Sequence, residues 1–313
     1  MQISAWLTHP EIPCFNFSRD HAELIESSIK GSQVQICHTR EEFIKSLTTS
    51  RVVLVWTFEQ EWFQHSPCLK WIVTPAAGRD YFQVEAPPGI ELDYCSFHGE
   101  IIAETVLAML LSHCRGLREA DLLRAENPWP RKELAGKLKP FRGSRLTILG
   151  LGNIGRWIAK LAKPLGVQVT GICTEPRTSP DFFEPEDEVL GIDSLDGVLP
   201  RTDHLVIALP SGSNTDGLVG ARRLGLLPCH ATLSNIGRGN SVDEKALAEA
   251  LNNGELASAW LDVFHTEPLE EDSPLYGCRN AFLMPHCAAV SPNYLELFCR
   301  EFIEKSKANN LES

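Results

Sequence analysis

The sequence predicts an α/β protein built from two doubly wound parallel-sheet domains. Three observations support this fold class. Short β-type runs alternate with helical patterns over the first hundred residues, the alternation resumes after Arg145, and a glycine-rich turn joins a strand to a helix there. Such alternation is typical of parallel sheets covered by helices. A chain of 313 residues is long enough for two domains, each with a sizeable core.

The first region contains helical patterns between short apolar runs. Ser18 can cap a helix over residues 18–30, and Thr39 with Glu42 forms the capping box of a helix over 39–47. The apolar runs predict strands at residues 3–7, 34–37, 51–56, 69–73 and 90–95. We therefore expect one parallel sheet in this region.

A long apolar helix is predicted next, over residues 100–124. At 1.5 Å per residue it would be about 35 Å long, which is enough to bridge two domains. Pro128 and Pro130 end it, because proline lacks an N–H and disfavours helix in the residue before it.

The second region repeats the β/α alternation from Arg145 onwards. Helices are predicted at residues 154–165 and 294–306, and the second of these would return to the first domain. Strands are predicted at residues 146–149, 167–173, 204–209, 232–235, 257–261 and 281–284. This region is predicted to be a second doubly wound unit.

A glycine motif follows the first strand of the second region. Gly150 permits a tight turn, Gly152 lets a pyrophosphate approach the backbone, and Gly155 lets the helix pack closely on the strand. The anion would lie at the helix N-terminus, where free N–H groups favour negative charge. Because the motif lies between a strand and a helix, it predicts a Rossmann dinucleotide-binding domain.

The end of the next predicted strand bears on which dinucleotide binds. An acidic residue there would bind the ribose 2′-hydroxyl of NAD, but this strand ends in Cys173 and Thr174. Arg177 follows, and an arginine suits the 2′-phosphate of NADP. We therefore favour NADP over NAD. The alternative is that Glu175 binds the ribose and Arg177 is a solvated surface charge.

The charge balance excludes one class of partner. The chain has 29 Lys+Arg against 41 Asp+Glu, a formal net charge of −12, so a nucleic-acid groove is not expected. Net charge does not exclude small anionic ligands, because their binding depends on local donors.

Other sequence features predict a cytoplasmic protein outside the membrane. The N-terminus lacks the basic and then apolar segments of a secretory signal, and the apolar stretch at residues 105–114 is too short to span a bilayer. The ten cysteines are scattered, which predicts reduced, mostly buried thiols. Cys95 and His98 form a lone CxxH without a second ligand pair, so no metal site is expected.

Polar residues follow three strands of the second region. Arg238 lies in a glycine turn after one strand, and His286 follows the last strand. Between them, Asp262 and Glu267 follow a third strand. Each residue alone would more often be structural or a surface charge. Ligands bind at the carboxyl ends of strands in doubly wound sheets, so their joint occurrence predicts a catalytic site.

These segments together resemble the D-isomer-specific 2-hydroxyacid dehydrogenase family, in particular its glyoxylate/hydroxypyruvate reductase-like members. The resemblance rests on the glycine motif, the turn and helix start at 235–247, the segment 262–268 and the pair Pro285 and His286. It extends over nearly the whole chain, from a loop at residues 76–80.

The resemblance implies a domain organisation. A flavodoxin-like substrate domain would comprise residues 1–98 and 288–313, and a Rossmann NAD(P)-binding domain would comprise residues 99–287, with a cleft between them. A homodimer is also implied, with the helix from Ile101 and the arm that carries Trp129 at the contact.

The activity that the resemblance implies is that of an oxidoreductase. It would interconvert a 2-oxo acid and a D-2-hydroxy acid by hydride transfer with NAD(P)H. His286 would donate or accept the proton, since histidine titrates near neutral pH. Glu267 would orient the His286 ring, and Arg238 would hold the substrate with directional donors that lysine lacks. Asp262 would accept a hydrogen bond from the nicotinamide carboxamide.

The ligand-contacting residues are likewise implied by the resemblance. Substrate would bind to Arg238 and to the loop amides of Ala76, Ala77 and Gly78, although the family usually has Gly where this chain has Ala76. The cofactor would contact Val106, Gly150, Gly152, Asn153, Ile154, Gly155, Cys173, Thr174, Arg177, Leu209, Pro210, Thr215, Ile236, Gly237, Arg238, Asp262 and His286.

Two alternative functions fit the same fold. A dinucleotide-sensing binding protein, such as a corepressor, would bind the cofactor without turnover. A formate- or phosphite-oxidising enzyme is disfavoured, because the former relatives have Gln where this chain has Glu267 and the latter have Lys where it has Ala77.

The substrate side chain is not defined by the sequence. No cluster of Lys and Arg is seen near residues 76–80, which favours glyoxylate, hydroxypyruvate or a bulkier 2-oxo acid over a phosphorylated one. Trp56, Phe58, Trp62 and Tyr81 either line an apolar pocket or, as we favour, belong to the core.

Overall fold

The computed structural model describes residues 1–78, 82–175 and 177–308, so Tyr81 lies outside the described residues. The chain folds as two compact units, one comprising residues 1–98 and 290–313 and the other residues 99–289. Within the described ranges, none of the helices combines the length and the apolar character needed to cross a membrane.

Strands and helices alternate along both units. The strands are β1 (Gln2–Trp6), β2 (Gln33–Ile36), β3 (Val52–Val55), β4 (Trp71–Thr74), β5 (Glu91–Tyr94), β6 (Arg145–Leu149), β7 (Gln168–Cys173), β8 (Glu188–Gly191), β9 (His204–Ile207), β10 (Thr232–Asn235), β11 (Ser258–Leu261) and β12 (Ala281–Leu283). The α-helices are α1 (Arg19–Ser28), α2 (Arg40–Ser46), α3 (His98–Cys114), α4 (Leu117–Glu126), α5 (Arg131–Ala135), α6 (Asn153–Ala162), α7 (Leu195–Val198), α8 (Ala221–Leu224), α9 (Glu244–Asn252) and α10 (Tyr294–Ala308).

The first unit contains, among its described residues, a five-stranded parallel sheet in the order β2-β1-β3-β4-β5. Ile3 of β1 pairs with Val34 on one side and Val52 on the other. All four residues of β3 are buried, as expected for a parallel strand with both faces covered. The returning helix α10 contributes Phe302, whose ring lies 5.2 Å from that of Trp71.

The aromatic residues that follow β3 divide between core and edge. Phe58 and Trp62 are buried in the hydrophobic core together with Phe43, as we favoured. Trp56 is half-buried at the carboxyl end of β3, and its ring lies 5.3 Å from that of Phe15. Of the described aromatic residues proposed for a pocket, Trp56 is the one that keeps substantial exposure.

The second unit contains, in its described part, a seven-stranded parallel sheet in the order β12-β11-β10-β9-β6-β7-β8. Leu149 of β6 pairs with Ile172 of β7 and with Ile207 of β9. The strand order reverses at β6, so the crevice outside the carboxyl ends of β6 and β9 is the ligand position that such sheets favour. The predicted fold class of two parallel-sheet α/β domains is therefore confirmed.

The predicted single helix over residues 100–124 is wrong. The chain forms α3 and then α4, separated by Gly116 with φ 58° and ψ 34°, the left-handed region. A Cβ on Gly116 would lie 2.9 Å from the side chain of Leu138, so the glycine also permits a close approach. The two shorter helices do not form the 35 Å rod that we expected.

All ten cysteines lie in the described part of the chain and are free thiols. Six of them are buried, which matches the expectation of reduced and mostly buried cysteines. The buried set is Cys37, Cys95, Cys114, Cys173, Cys278 and Cys299.

Candidate active site

The glycine motif joins β6 to α6 in the second unit. Gly150 has φ 94°, and a Cβ there would lie 2.6 Å from the carbonyl oxygen of Ala208. A Cβ on Gly155 would lie 2.1 Å from the carbonyl oxygen of Gly150, so this glycine allows α6 to pack on the turn. Both positions therefore require glycine for packing.

Gly152 differs from the other two glycines. It is the N-cap of α6, and a Cβ there would have no described atom within 4 Å. Gly152 has no side chain to cap the helix, and the described first turn carries no acidic residue. The helix start is thus open and suited to an anion such as a pyrophosphate. Asn153 and Ile154 form its first turn.

The residues predicted to select the dinucleotide lie at the end of β7. Cys173 is buried and pairs with Gly191 of β8. Thr174, Glu175 and Arg177 are exposed. Both the acidic and the basic candidate are therefore accessible to a ligand.

Arg238 lies in the turn that follows β10, and side chains of the same segment stabilise this turn by binding its backbone. The Asn235 side-chain amide donates to the carbonyl oxygen of Arg238 at 3.0 Å, and Asn235 Oδ1 accepts from the Gly237 N–H at 3.1 Å. The Ser241 hydroxyl donates to the same Arg238 carbonyl at 2.8 Å. The Arg238 guanidinium is half-buried and donates to the Gly237 carbonyl oxygen at 2.8 Å. The turn therefore holds this cation at the carboxyl edge of the sheet.

The neighbouring loop after β9 lies close to this turn. A Cβ on Gly237 would lie 2.4 Å from the carbonyl oxygen of Leu209, so the two backbones touch. The Thr215 hydroxyl donates to the carbonyl oxygen of Pro210 at 2.9 Å and closes the loop. Among the predicted cofactor-binding residues, the structure brings together the 209–215 loop and the Ile236–Gly237 segment.

Val106, another predicted cofactor-binding residue, lies in α3. It is 0% exposed within α3, in the core that covers β6. Contact between Val106 and the cofactor stays a prediction.

Glu267 and His286 form the polar pair of the site. His286 Nδ1 lies 2.7 Å from Glu267 Oε2, and Glu267 Oε1 accepts from the Phe264 N–H at 2.9 Å. The His286 side chain is 51% exposed, so its ring can reach a ligand. The glycine turn carrying Arg238 packs beside this segment, since a Cβ on Gly239 would lie 1.8 Å from the carbonyl carbon of Phe264. The three predicted catalytic residues therefore share the carboxyl edge of β10, β11 and β12.

Asp262 holds the backbone of the histidine loop. It is 2% exposed, and its carboxylate accepts from the N–H groups of Cys287 at 2.8 Å and Ala288 at 3.0 Å. Burial raises the pKa of the Asp262 carboxyl, although these two amide hydrogen bonds oppose that shift. His286 itself has φ 49°, a strained region for a residue with a side chain, and its N–H donates to the Asp262 carbonyl at 2.9 Å.

Two positioning roles were missed by the sequence reasoning. Asp262 was predicted to contact the cofactor, and its bonds to the His286 loop were not foreseen. Asn235 was not predicted to have any role, although an Asn at the end of a strand is a known stabiliser of the turn that follows. The asparagine at the end of the strand was therefore the sequence feature that could have indicated this role.

The predicted substrate loop lies in the first unit, after β4. The Ala76 N–H donates to Thr74 Oγ1 at 3.2 Å, and the Ala76 carbonyl accepts from the Cys95 N–H at 3.2 Å. The Ala76 amide is thus already engaged, which narrows the predicted donors to Ala77 and Gly78. Neither of those amides donates to another described residue.

Comparisons with known proteins show the family to which this chain is similar. The model of the family described as D-isomer specific 2-hydroxyacid dehydrogenase, NAD binding domain, matches residues 107–288. A glyoxylate reductase of Aeropyrum pernix is 34% identical over 238 residues, which are 72% of this chain and 69% of that protein. A D-3-phosphoglycerate dehydrogenase of Mycobacterium tuberculosis is 30% identical over 83% of this chain. The match covers 50% of that relative, so the chain spans about half its length.

A solved structure extends the similarity to both units. The crystal structure of a D-isomer specific 2-hydroxyacid dehydrogenase from Xanthobacter autotrophicus, in complex with NADPH and MES, has a TM-score of 0.76 and 26% identity. The superposition covers 98% of this chain and 95% of that chain.

Proposed function

Because this chain belongs to the D-isomer specific 2-hydroxyacid dehydrogenase family, we propose that it interconverts a 2-oxo acid and a D-2-hydroxy acid with NAD(P)H. One observation carries the proposal. The His286 and Glu267 side chains are 2.7 Å apart at the carboxyl edge of a sheet whose switch point carries an open glycine motif. A proton-transferring pair beside a dinucleotide site is what such a reaction requires.

His286 is proposed to exchange the proton with the substrate oxygen. Its Nδ1 faces the Glu267 carboxylate, which leaves Nε2 for the substrate. Glu267 selects the tautomer with hydrogen on Nδ1 or stabilises the imidazolium, and so orients the ring. In the reduction direction His286 gives its Nε2 proton to the C2 oxygen, and in oxidation it takes that proton back.

Arg238 is proposed to hold the carboxylate or the C2 oxygen of the substrate. Its guanidinium presents several N–H donors in a fixed plane, and the turn that Asn235 and Ser241 stabilise restricts its position. In the same proposal the Ala77 and Gly78 amides bind the substrate carboxylate, and the unit of residues 1–98 and 290–313 is the substrate domain.

The open start of α6 fits a dinucleotide pyrophosphate. Gly152 leaves free space at the N-terminus, and the first-turn amides would hold the phosphates. The bound dinucleotide would supply or accept the hydride. We propose NADP as the preferred form, with exposed Arg177 on the 2′-phosphate, and the NADPH complex of the Xanthobacter relative supports this preference.

A homodimer is part of the proposal, through the segment from Ile101 that forms α3 and α4 and through the arm that carries Trp129. Leu117, Leu122 and Trp129 are large apolar side chains with 59%, 52% and 78% exposure. Burial of such side chains in a subunit contact would remove them from water. Sedimentation at the mass of one chain would contradict it.

The proposed activity is tested with a panel of 2-oxo acids. Glyoxylate, hydroxypyruvate and branched or aromatic 2-oxo acids are each assayed with NADH and with NADPH, and the hydroxy acid product is resolved by chirality. We expect turnover, a D product and a preference for NADPH. Tight cofactor binding without turnover of any acid would instead indicate a dinucleotide-sensing protein.

A further inference from the structure

Tyr294, the first residue of α10, lies at the centre of an aromatic cluster in the first unit. Its ring centroid lies 4.6 Å from Phe15, 4.8 Å from Phe97, 5.4 Å from His98 and 6.0 Å from Trp56. The Tyr294 side chain is almost completely buried. Its hydroxyl is therefore a polar group in an apolar setting, where a partner is needed.

Two polar groups of the described residues face that hydroxyl. His98 Nε2 lies 2.8 Å from it, and the carbonyl oxygen of Pro75 lies 3.5 Å from it. A hydroxyl carries one proton, so both contacts are hydrogen bonds only in one arrangement. His98 Nε2–H donates to the Tyr294 oxygen, and the Tyr294 O–H donates to the Pro75 carbonyl.

His98 is in the neutral state that this arrangement uses. Its ring is 4% exposed, and burial lowers its pKa to about 4 despite the opposing effects of Glu301 and the Pro75 carbonyl. A neutral imidazole has one N–H, which the arrangement assigns to Nε2.

Pro75 connects β4 to the predicted substrate loop. It follows the last residue of β4, Thr74, and precedes the loop of Ala76, Ala77 and Gly78. Proline has no N–H, so the carbonyl is the one backbone polar group through which Pro75 can be held. The direction of that carbonyl sets the plane of the peptide that enters the loop.

We propose that Tyr294 and His98 are positioning residues for the Ala77 and Gly78 amides, and hence for the substrate carboxylate. This inference rests on the proposed function. The hydrogen bonds from His98 to Tyr294 and from Tyr294 to Pro75, which we call the relay, anchor the Pro75 carbonyl. The Thr74 hydroxyl and the Cys95 amide anchor Ala76 from the other side. Two amide donors held in this way can bind a carboxylate without rearrangement of the loop. A misplacement of about 1 Å can lower the rate of reaction by up to 10²-fold.

The substitution Tyr294→Phe separates the relay from ring packing. Phe keeps the contacts with Phe15, Phe97 and Trp56 and removes only the hydroxyl. We expect KM for glyoxylate or hydroxypyruvate to rise about tenfold, equivalent to the net value of one to two hydrogen bonds, with kcat changed less than about twofold and the NADPH Kd unchanged. Tyr276→Phe is the matched control, since Tyr276 is 59% exposed in the other unit.

A second substitution tests the histidine. His98→Gln keeps an N–H donor for the Tyr294 oxygen, whereas His98→Leu removes it. We expect a smaller KM increase for Gln than for Leu, and a Tyr294→Phe/His98→Leu double variant with a KM increase no larger than either single variant. Independent, additive effects would overturn the relay.

Hydrogen–deuterium exchange separates this inference from the proposed function. Peptides covering residues 75–78 are compared in the wild type and in Tyr294→Phe, with no substrate present. We expect faster exchange in the variant at Ala76, whose N–H is bonded to Thr74 Oγ1 and lies in the same peptide unit as the Pro75 carbonyl. If the wild type does not turn over any 2-oxo acid, the proposed function fails and the exchange result still tests the anchoring. Unchanged exchange and unchanged KM in a folded variant would overturn the inference, as would a lower Tm with unchanged KM and exchange.

Discussion

His286 Nδ1 and Glu267 Oε2 lie 2.7 Å apart, and the backbone around each residue sets this distance. On one side, the Phe264 N–H binds the other Glu267 oxygen at 2.9 Å. On the other, the His286 backbone adopts φ 49° while its N–H binds the Asp262 carbonyl. The carboxylate and the ring therefore meet in a defined orientation.

The first prediction concerns the charge of Glu267. Glu267→Gln keeps an oxygen for the Phe264 N–H and replaces the carboxylate oxygen that faces His286 Nδ1 by an NH2 group, which donates a hydrogen bond instead of accepting one. We expect kcat to fall roughly 10²-fold, because the NH2 group does not accept the Nδ1 hydrogen and so does not orient the ring for proton transfer, and general acid–base catalysis contributes about that much. Steady-state kinetics with glyoxylate and NADPH measures it. Wild-type kcat in the Gln variant would contradict the proposed role.

The second prediction concerns the geometry of Arg238. Arg238→Lys keeps the charge but loses the planar set of donors, so a carboxylate or carbonyl oxygen is held less well. We expect KM for the 2-oxo acid to rise about 10- to 100-fold, the loss of one charge-assisted hydrogen bond. The NADPH Kd is the control, and the idea fails if KM is unchanged while the protein remains folded.

A matched pair of glycine variants gives the third prediction. Gly152→Ala adds a methyl with no described atom within 4 Å, whereas Gly155→Ala adds one 2.1 Å from the Gly150 carbonyl oxygen. We expect Gly152→Ala to keep the wild-type Tm and lose at least about tenfold in NADPH affinity, because the methyl occupies the pyrophosphate approach. Gly155→Ala should lower Tm as well. Calorimetry and fluorescence titration with NADPH distinguish the two, and normal NADPH binding by Gly152→Ala argues against this cofactor position.

The fourth prediction concerns the choice between the two dinucleotides. Arg177→Ala removes the candidate partner of a 2′-phosphate and should weaken NADPH binding about tenfold, with little change for NADH. Glu175→Gln is its counterpart, because the alternative assigns the ribose hydroxyl to Glu175. A large loss of NADH binding in Glu175→Gln, with NADPH binding unaffected by Arg177→Ala, would favour NAD instead.

The fifth prediction concerns stability at acid pH. Burial lowers the pKa of His98 and of His204 to about 4, from 6.5. Between about pH 4 and pH 6.5 these histidines bind protons in the unfolded chain but not in the folded chain. Their contribution to the free energy of unfolding is therefore fully present above about pH 6.5 and is lost as the pH falls. At pH 5 each histidine should cost roughly 2 kcal/mol of unfolding free energy. The lowered pKa values of Asp196 and Asp203 act only at lower pH.

Urea unfolding at about pH 7 and about pH 5 measures this loss. His98→Gln should reduce the dependence of unfolding free energy on pH, whereas the substitution of an exposed histidine, His38→Gln, should leave it as in the wild type. Identical pH dependence in wild type and His98→Gln would remove His98 as a cause.

Much of the fold was predictable because its signals are local. Residues 52–56, for example, are apolar throughout, which is the pattern expected of a strand buried on both faces of a parallel sheet. The glycine motif was equally readable, since each glycine answers a local demand for a tight turn or a close approach. The break at Gly116 was not, because one glycine within an apolar helix costs only about 1 kcal/mol and its surroundings decide whether the helix continues.

The sequence by itself determined the alternation of strands and helices, the glycine turn and the residue types available for catalysis. Only the tertiary structure decided which of those residues meet. Asp262 reaches the amides of Cys287 and Ala288, and His98 reaches Tyr294 from 196 positions away along the chain. Such contacts depend on the order of strands in a sheet and on where the last helix returns. Neither is encoded in the periodicity of any one segment, because periodicity reports which face is buried and not what covers it.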